Sequence, residues 1–168
     1  MSEKDDITNK LKEELAQLKE NGDPKAIFLQ EMLDRRTCEG PWSNEPDELN
    51  FIDEATGLEC LIYRQPEFGN LLGYVIIPEK SIPTFKGIEL LDYTLDVHGG
   101  VSYSDFDYRR GSGKYYIGFD CAHFGDWSPY MYSAHLSQEI RGTYRDIEFV
   151  KAECIKLARQ LKDLMEDK

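Results

Sequence analysis

Leu91-Asp92-Tyr93-Thr94-Leu95-Asp96-Val97-His98-Gly99-Gly100 alternates apolar and polar residues for eight positions and then breaks at two glycines. A period of two predicts a half-buried strand, with Leu91, Tyr93, Leu95 and Val97 inward and Asp92, Thr94, Asp96 and His98 on a polar face. The glycine pair predicts a hairpin turn, and residues 101–107 the return strand. Arg109-Arg110-Gly111-Ser112-Gly113 reads as a second turn. It leads into a strand over 115–121 with Ile117, Phe119 and Cys121 on one face. Upstream, residues 58–64 and 73–77 read as two more strands, the latter ended by Pro78.

Helical spacing frames these strands. Ile7, Leu11, Leu15 and Leu18 predict a helix over 4–20, stopped by Asn21-Gly22-Asp23-Pro24. A second helix follows to about Arg36, with Phe28, Leu29, Met32 and Leu33 facing inward. At the other end, Ile147, Val150, Cys154, Leu157, Leu161 and Leu164 form a stripe, and Thr143 with Asp146 resembles a capping box. Residues 37–57, rich in Gly, Pro, Asn, Asp and Glu, read as a long irregular connection anchored by Trp42. The expected fold is α+β: a mostly antiparallel sheet of about five strands, an N-terminal helical hairpin and a C-terminal packing helix. Residues 1–36 form the hairpin, and 37–168 a core domain that is a single compact unit.

Composition narrows the function classes. The net charge of −12 disfavours grip on a phosphate backbone, so no direct nucleic-acid binding is expected. No apolar run is long enough to span a membrane. The polar, acidic start Met1-Ser2-Glu3-Lys4-Asp5-Asp6 is unlike a signal peptide, and a cytoplasmic location is expected. Cys38, Cys60, Cys121 and Cys154 make no CxxC pair and read as free thiols.

Two segments carry chemistry-bearing residues. Asp92, Asp96 and His98 share the polar face of the expected strand, with His98 at the mouth of a glycine turn whose amides suit a phosphate or ribose. Asp120, Cys121, His123 and Asp126 cluster in Gly118-Phe119-Asp120-Cys121-Ala122-His123-Phe124-Gly125-Asp126. Three readings stand side by side. His98, His123 and Asp126 make a divalent-metal donor set. His123 with Asp120 or Asp126 makes an acid–base pair. A turn held by Asp side chains needs no chemistry at all. Tyr103, Phe106, Tyr108, Tyr115, Tyr116, Phe119, Phe124, Trp127, Tyr130 and Tyr132 crowd the same region with Arg109, Arg110 and Lys114. That mixture suits a planar anionic ligand, or simply an aromatic core. His135 reads as an exposed loop residue.

From residue 40 to about 161 the chain resembles a widespread group of small phage and prophage proteins of unassigned function. The shared landmarks are Gly40-Pro41-Trp42 with Glu45-Pro46-Asp47, Thr56-Gly57, Cys60, and Gly73-Tyr74-Val75 with Pro78. They continue with Val97-His98-Gly99-Gly100-Val101-Ser102-Tyr103 and Gly118 to Asp126. Tyr144-Arg145-Asp146 with Val150, Glu153, Leu157 and Ala158 close the set. Members often carry His-Pro after the Gly-Tyr-Val strand. Ile82-Pro83 stands there instead, which leaves His98 and His123 as the candidate histidines.

The resemblance implies a phage setting, host cytoplasm, and an accessory role against host immunity that signals through cyclic nucleotides or ADP-ribose derivatives. The expected function is binding and sequestration of such a nucleotide-derived signal. The expected ligand-binding residues are His98, Gly99, Gly100, Tyr103, Asp120, His123, Phe124, Asp126 and Trp127, without metal or cofactor. The alternatives are a hydrolase that degrades the signal through His98, His123 and Asp126, and an acidic protein–protein inhibitor of a host factor that uses the hairpin. A homo-oligomer suits each of them.

Overall fold

A computed structural model describes residues 3–82, 95–106, 113–131 and 136–166. Helix α1, Glu3–Glu20, and helix α2, Lys25–Thr37, form the hairpin. The turn between them is a Schellman closure. Gly22 sits at φ 63°, its N–H donates to Lys19 O at 3.2 Å, and the Asp23 N–H donates to Leu18 O at 2.9 Å. Asp23 Oδ1 then accepts the Lys25 N–H at 2.9 Å and starts α2. Leu15, Leu29 and Leu33 are buried in a small core of their own, flanked by Leu11, Leu18 and Met32. Phe28, expected inward, is 62% exposed beside Ile27. Leu29 and Leu33, four apart, take the inner row instead. Arg36 fastens α2 to the rest of the chain. It donates to Glu67 O at 3.2 Å and lies over the Tyr130 ring, 4.8 Å from its centroid.

The sheet has five antiparallel strands: β1 Glu48–Ile52, β2 Glu59–Arg64, β3 Leu71–Ile77, β4 Tyr103–Phe106 and β5 Tyr115–Asp120, in the order β1-β2-β3-β5-β4. The α+β class is therefore as expected. Two strand assignments change. Strand β1 lies inside 37–57, which reads as irregular because only Leu49 and Phe51 carry the apolar alternation of this edge strand. The expected strand over 91–98 falls partly outside the described residues, at 91–94. Its described part, 95–98, pairs with no strand.

Leu95 and Val97 are buried and Asp96 is exposed, so the alternation reports burial correctly. The backbone partners come from a helix instead. Gln160 Oε1 accepts the Asp96 N–H at 2.8 Å and Gln160 Nε2 donates to Asp96 O at 2.8 Å. Glu153 Oε2 accepts the His98 N–H at 2.7 Å. Period-two burial shows which side faces the core; it does not show what satisfies the amides. Gly99-Gly100 accordingly turns the chain off this helix rather than closing a hairpin. Gly100 N–H donates to Val97 O at 3.0 Å, with Gly99 at φ 68°.

After the short helix α3, Gln138–Arg141, helix α4 runs over Ile147–Glu166. It begins later than Thr143. Asp146, not Thr143, is the cap, and its Oδ1 accepts the Phe149 N–H at 2.8 Å. Ile147, Val150, Cys154, Leu157, Ala158 and Leu161 are buried against Cys60, Ile62, Leu71, Val75, Ile117 and Phe119. A Cβ at Gly73 would lie 2.5 Å from the Phe119 ring and 2.8 Å from Cys154 Sγ, so glycine there permits the close approach of helix and sheet. Leu61, Ile76 and Tyr116 bury a second cluster, with Tyr74 and Tyr103 against it. No described helix is long and apolar enough to cross a membrane.

Candidate functional site

The main core delivers both motif loops to the N-terminal end of α4. After β5 the chain turns through 121–125. Asp126 N–H donates to His123 O at 2.9 Å, and His123 N–H donates back to Asp126 Oδ2 at 3.1 Å. A strap over 142–143 clamps this loop. Thr143 N–H donates to Gly125 O at 2.8 Å and Trp127 N–H to Thr143 O at 2.9 Å. Gly142, at φ 82°, is required there, because a Cβ would lie 2.4 Å from Gly125 O. The clamp buries the Asp126 side chain to 1% exposure.

His98 arrives from the other side, pinned by its backbone to Glu153. Its Nε2 is 2.7 Å from Asp126 Oδ2. The ring meets His123 and Phe149 edge-on, with centroids 5.5 and 5.2 Å apart. Gly99 lies against the His123 ring, where a Cβ would fall 2.1 Å from Cε1. Arg145 Nε donates to Asp126 Oδ1 at 2.8 Å, and its guanidinium rests 4.7 Å from the Phe149 centroid. Burial pushes the Asp126 carboxyl up, but the hydrogen bonds from Arg145 and His98 outweigh it and hold the group below the ordinary carboxylate value. Asp126 is therefore an anion at neutral pH. His123 Nδ1 stands 3.6 Å from Asp126 Oδ2 and 3.7 Å from Asp120 Oδ1. It is buried without a hydrogen-bond partner.

His98, Gly99, Asp120, His123 and Asp126 are thus brought together. Asp120 also accepts the Ala122 N–H at 3.0 Å. Phe124 extends from the same loop fully into solvent. Gly100 adjoins the site, but its N–H is committed to the turn. Two expected residues leave it. Tyr103 belongs to the cluster with Leu61, Ile76 and Tyr116, and meets Tyr74 edge-on at 5.6 Å. Trp127 is buried between Trp42, 4.7 Å away, and Arg141, 3.9 Å above its ring.

The aromatic run therefore disperses. Tyr115 and Phe119 enter the main core and Tyr130 lies under Arg36. Lys114 pairs with Glu59. Asp92, Tyr108, Arg109, Arg110, Tyr132 and His135 lie outside the described residues. Burial, with Asp126 and Asp120 nearby, pushes the Cys121 thiol well up and keeps it protonated. Arg145, Phe149 and Glu153 complete the site without having been singled out for it. Arg145 and Glu153 stand among the landmarks of the resemblance, whereas Phe149 has no signal in the sequence.

A second polar cluster lies on the far side of Tyr144. Arg64 donates to Asp47 Oδ1 at 2.9 Å, to Glu45 Oε2 at 2.8 Å, to the Tyr144 hydroxyl at 2.8 Å and to Gly69 O at 3.0 Å. Glu45 Oε1 accepts the Ile147 N–H, the first of α4, at 3.0 Å. Trp42, 2% exposed, covers it with its ring 5.3 Å from that of Tyr144. No family model, curated protein or solved structure matches the chain.

Proposed function

We propose that this is a phage-type accessory protein that captures a nucleotide-derived signal, a cyclic nucleotide or an ADP-ribose-like molecule, at the His98–His123–Asp126 face. The observation that carries this reading is the convergence of both motif loops on one half-open cluster. The His98, His123 and Arg145 side chains are 18%, 34% and 29% exposed there, next to the fully exposed Phe124 ring. In this reading the imidazoles and Arg145 meet phosphate or ribose oxygens, and Phe124 stacks on a base. Tyr103 and Trp127 have no part in it.

Calorimetry against cyclic dinucleotides and cyclic ADP-ribose isomers tests this. Binding tighter than about 10 μM is expected for one class, a free energy near −7 kcal/mol, and silence across the panel contradicts the reading for those ligands. One observation favours a hydrolase as the second reading. Asp126, fixed by Arg145, orients the His98 ring as a carboxylate orients a general base. Chromatography after incubation separates the two: intact ligand means capture, and new products mean catalysis.

A further inference from the structure

We propose that His98 Nε2, His123 Nδ1 and Asp126 Oδ2 together bind one divalent transition-metal ion, leaving further coordination positions open to an anionic ligand. One donor atom from each of the three residues lies within 4.8 Å of the other two. Asp126 Oδ2 is 2.7 Å from His98 Nε2 and 3.6 Å from His123 Nδ1. A tetrahedral ion with bonds of about 2.0–2.1 Å holds its donors about 3.3 Å apart, so the observed separations bracket the required one.

The surroundings prepare the donors. Arg145 engages Asp126 Oδ1 and turns Oδ2 toward the histidines. Such a partner behind a ligating carboxylate fixes its orientation. His123 Nδ1 is buried and lacks a hydrogen-bond partner, an uncompensated cost that a metal bond removes. Glu153 and Phe149 hold the His98 backbone and ring. For His98 to coordinate through Nε2, the hydrogen bond to Asp126 gives way and the neutral ring carries its proton on Nδ1. Two imidazoles and one carboxylate select Zn2+, Fe2+, Co2+ or Ni2+ over Mg2+ and Ca2+, which prefer all-oxygen shells. Three protein donors leave room for water or for a phosphate oxygen.

This inference shares residues with the capture reading but does not depend on it. The test is calorimetric titration of Zn2+ into the full chain after chelator treatment, with Co2+ absorption as a second readout. One site per chain is expected, with the strong visible bands of four-coordinate Co2+. His98→Ala and His123→Ala are each expected to weaken Zn2+ by about 100-fold or more, beyond the 10–100-fold typical of outer-shell changes. Circular dichroism establishes that each variant is folded, and His123→Gln replaces any variant that is not. No Zn2+ heat, or equal affinity in the folded His123 variant, overturns the proposal. Repeating the nucleotide panel in excess chelator separates the two ideas, because capture that persists there survives failure of the metal site.

Discussion

Two polar clusters flank the start of α4, and the adjacent residues Tyr144 and Arg145 belong to one each. Both join a guanidinium to carboxylates, yet they end differently. The Arg64 cluster is closed around its cation, with Asp47 alone reaching the surface. The Arg64 side chain is 1% exposed, and its partners Glu45, Asp47, Tyr144 and Gly69 tie the segment after Trp42 to β2 and to the first turn of α4. The Asp126 cluster is closed only at its base, where Arg145 and the His123 amide meet the carboxylate. At its rim stand two partly exposed imidazoles, and just inside it lies a buried nitrogen without a hydrogen-bond partner. A buried cation with every partner in place specifies a fold, while an unsatisfied atom just inside a half-open edge is where a ligand gains most.

The sharpest way to break this contrast is to open the closed cluster. Arg64→Ala leaves Glu45 and Asp47 without their cation and is expected to cost about 3–5 kcal/mol, read by chemical denaturation. A loss below about 1 kcal/mol, the level of a surface pair, would show that the cluster is not structural. Gly99→Ala should cost about 1–2 kcal/mol for the left-handed backbone, and its Cβ displaces the His123 ring. Binding at the open cluster should fall with it; unchanged binding would mean that the ring position does not matter.

His123→Ala should alter stability by no more than about 1 kcal/mol while abolishing metal and nucleotide binding. A stability loss as large as that of Arg64→Ala would erase the distinction. The smallest effect concerns the floor of the open site. Cys121 is buried there with a raised thiol, Cys60 is pushed up to about 12 by burial, and Cys154 is shifted the same way. Cys38 is partly exposed. Alkylation followed by mass spectrometry should label Cys38 first and the other three only on unfolding. Rapid labelling of Cys121 would place the opening deeper than the rim.

Much of this arrangement can be read without coordinates. The stripe from Ile147 to Leu161, the α1–α2 stop at Gly22-Asp23 and the strands around Gly73 and Ile117 follow from periodicity and turn chemistry. The segment at 95–98 shows where periodicity ends. Its alternation is real, but its hydrogen bonds go to Gln160 and Glu153, residues 64 and 55 positions away. Strand β1 carries two inward apolar residues and leaves little trace. Of the site, His98, His123 and Asp126 are visible as residue types near glycines. The role of Arg145 needs the clamp of 142–143 on the 125–126 loop, a long-range pairing that local pattern does not encode. Of the two readings of the aromatic run, the described rings follow the core one: Tyr115, Tyr116 and Phe119 are buried, and rings near in sequence part to the two faces of the sheet.

If the open cluster holds a small molecule, that molecule leaves the cell with the purified chain. The most direct test purifies the wild-type chain and the His98→Ala/His123→Ala double variant from cells that make cyclic nucleotide and cyclic ADP-ribose signals. Each protein is denatured by heat and the released small molecules are read by mass spectrometry. Capture at the open cluster predicts an intact nucleotide derivative released from the wild type and none from the folded double variant. Equal release from both, or no nucleotide from the wild type, would contradict it.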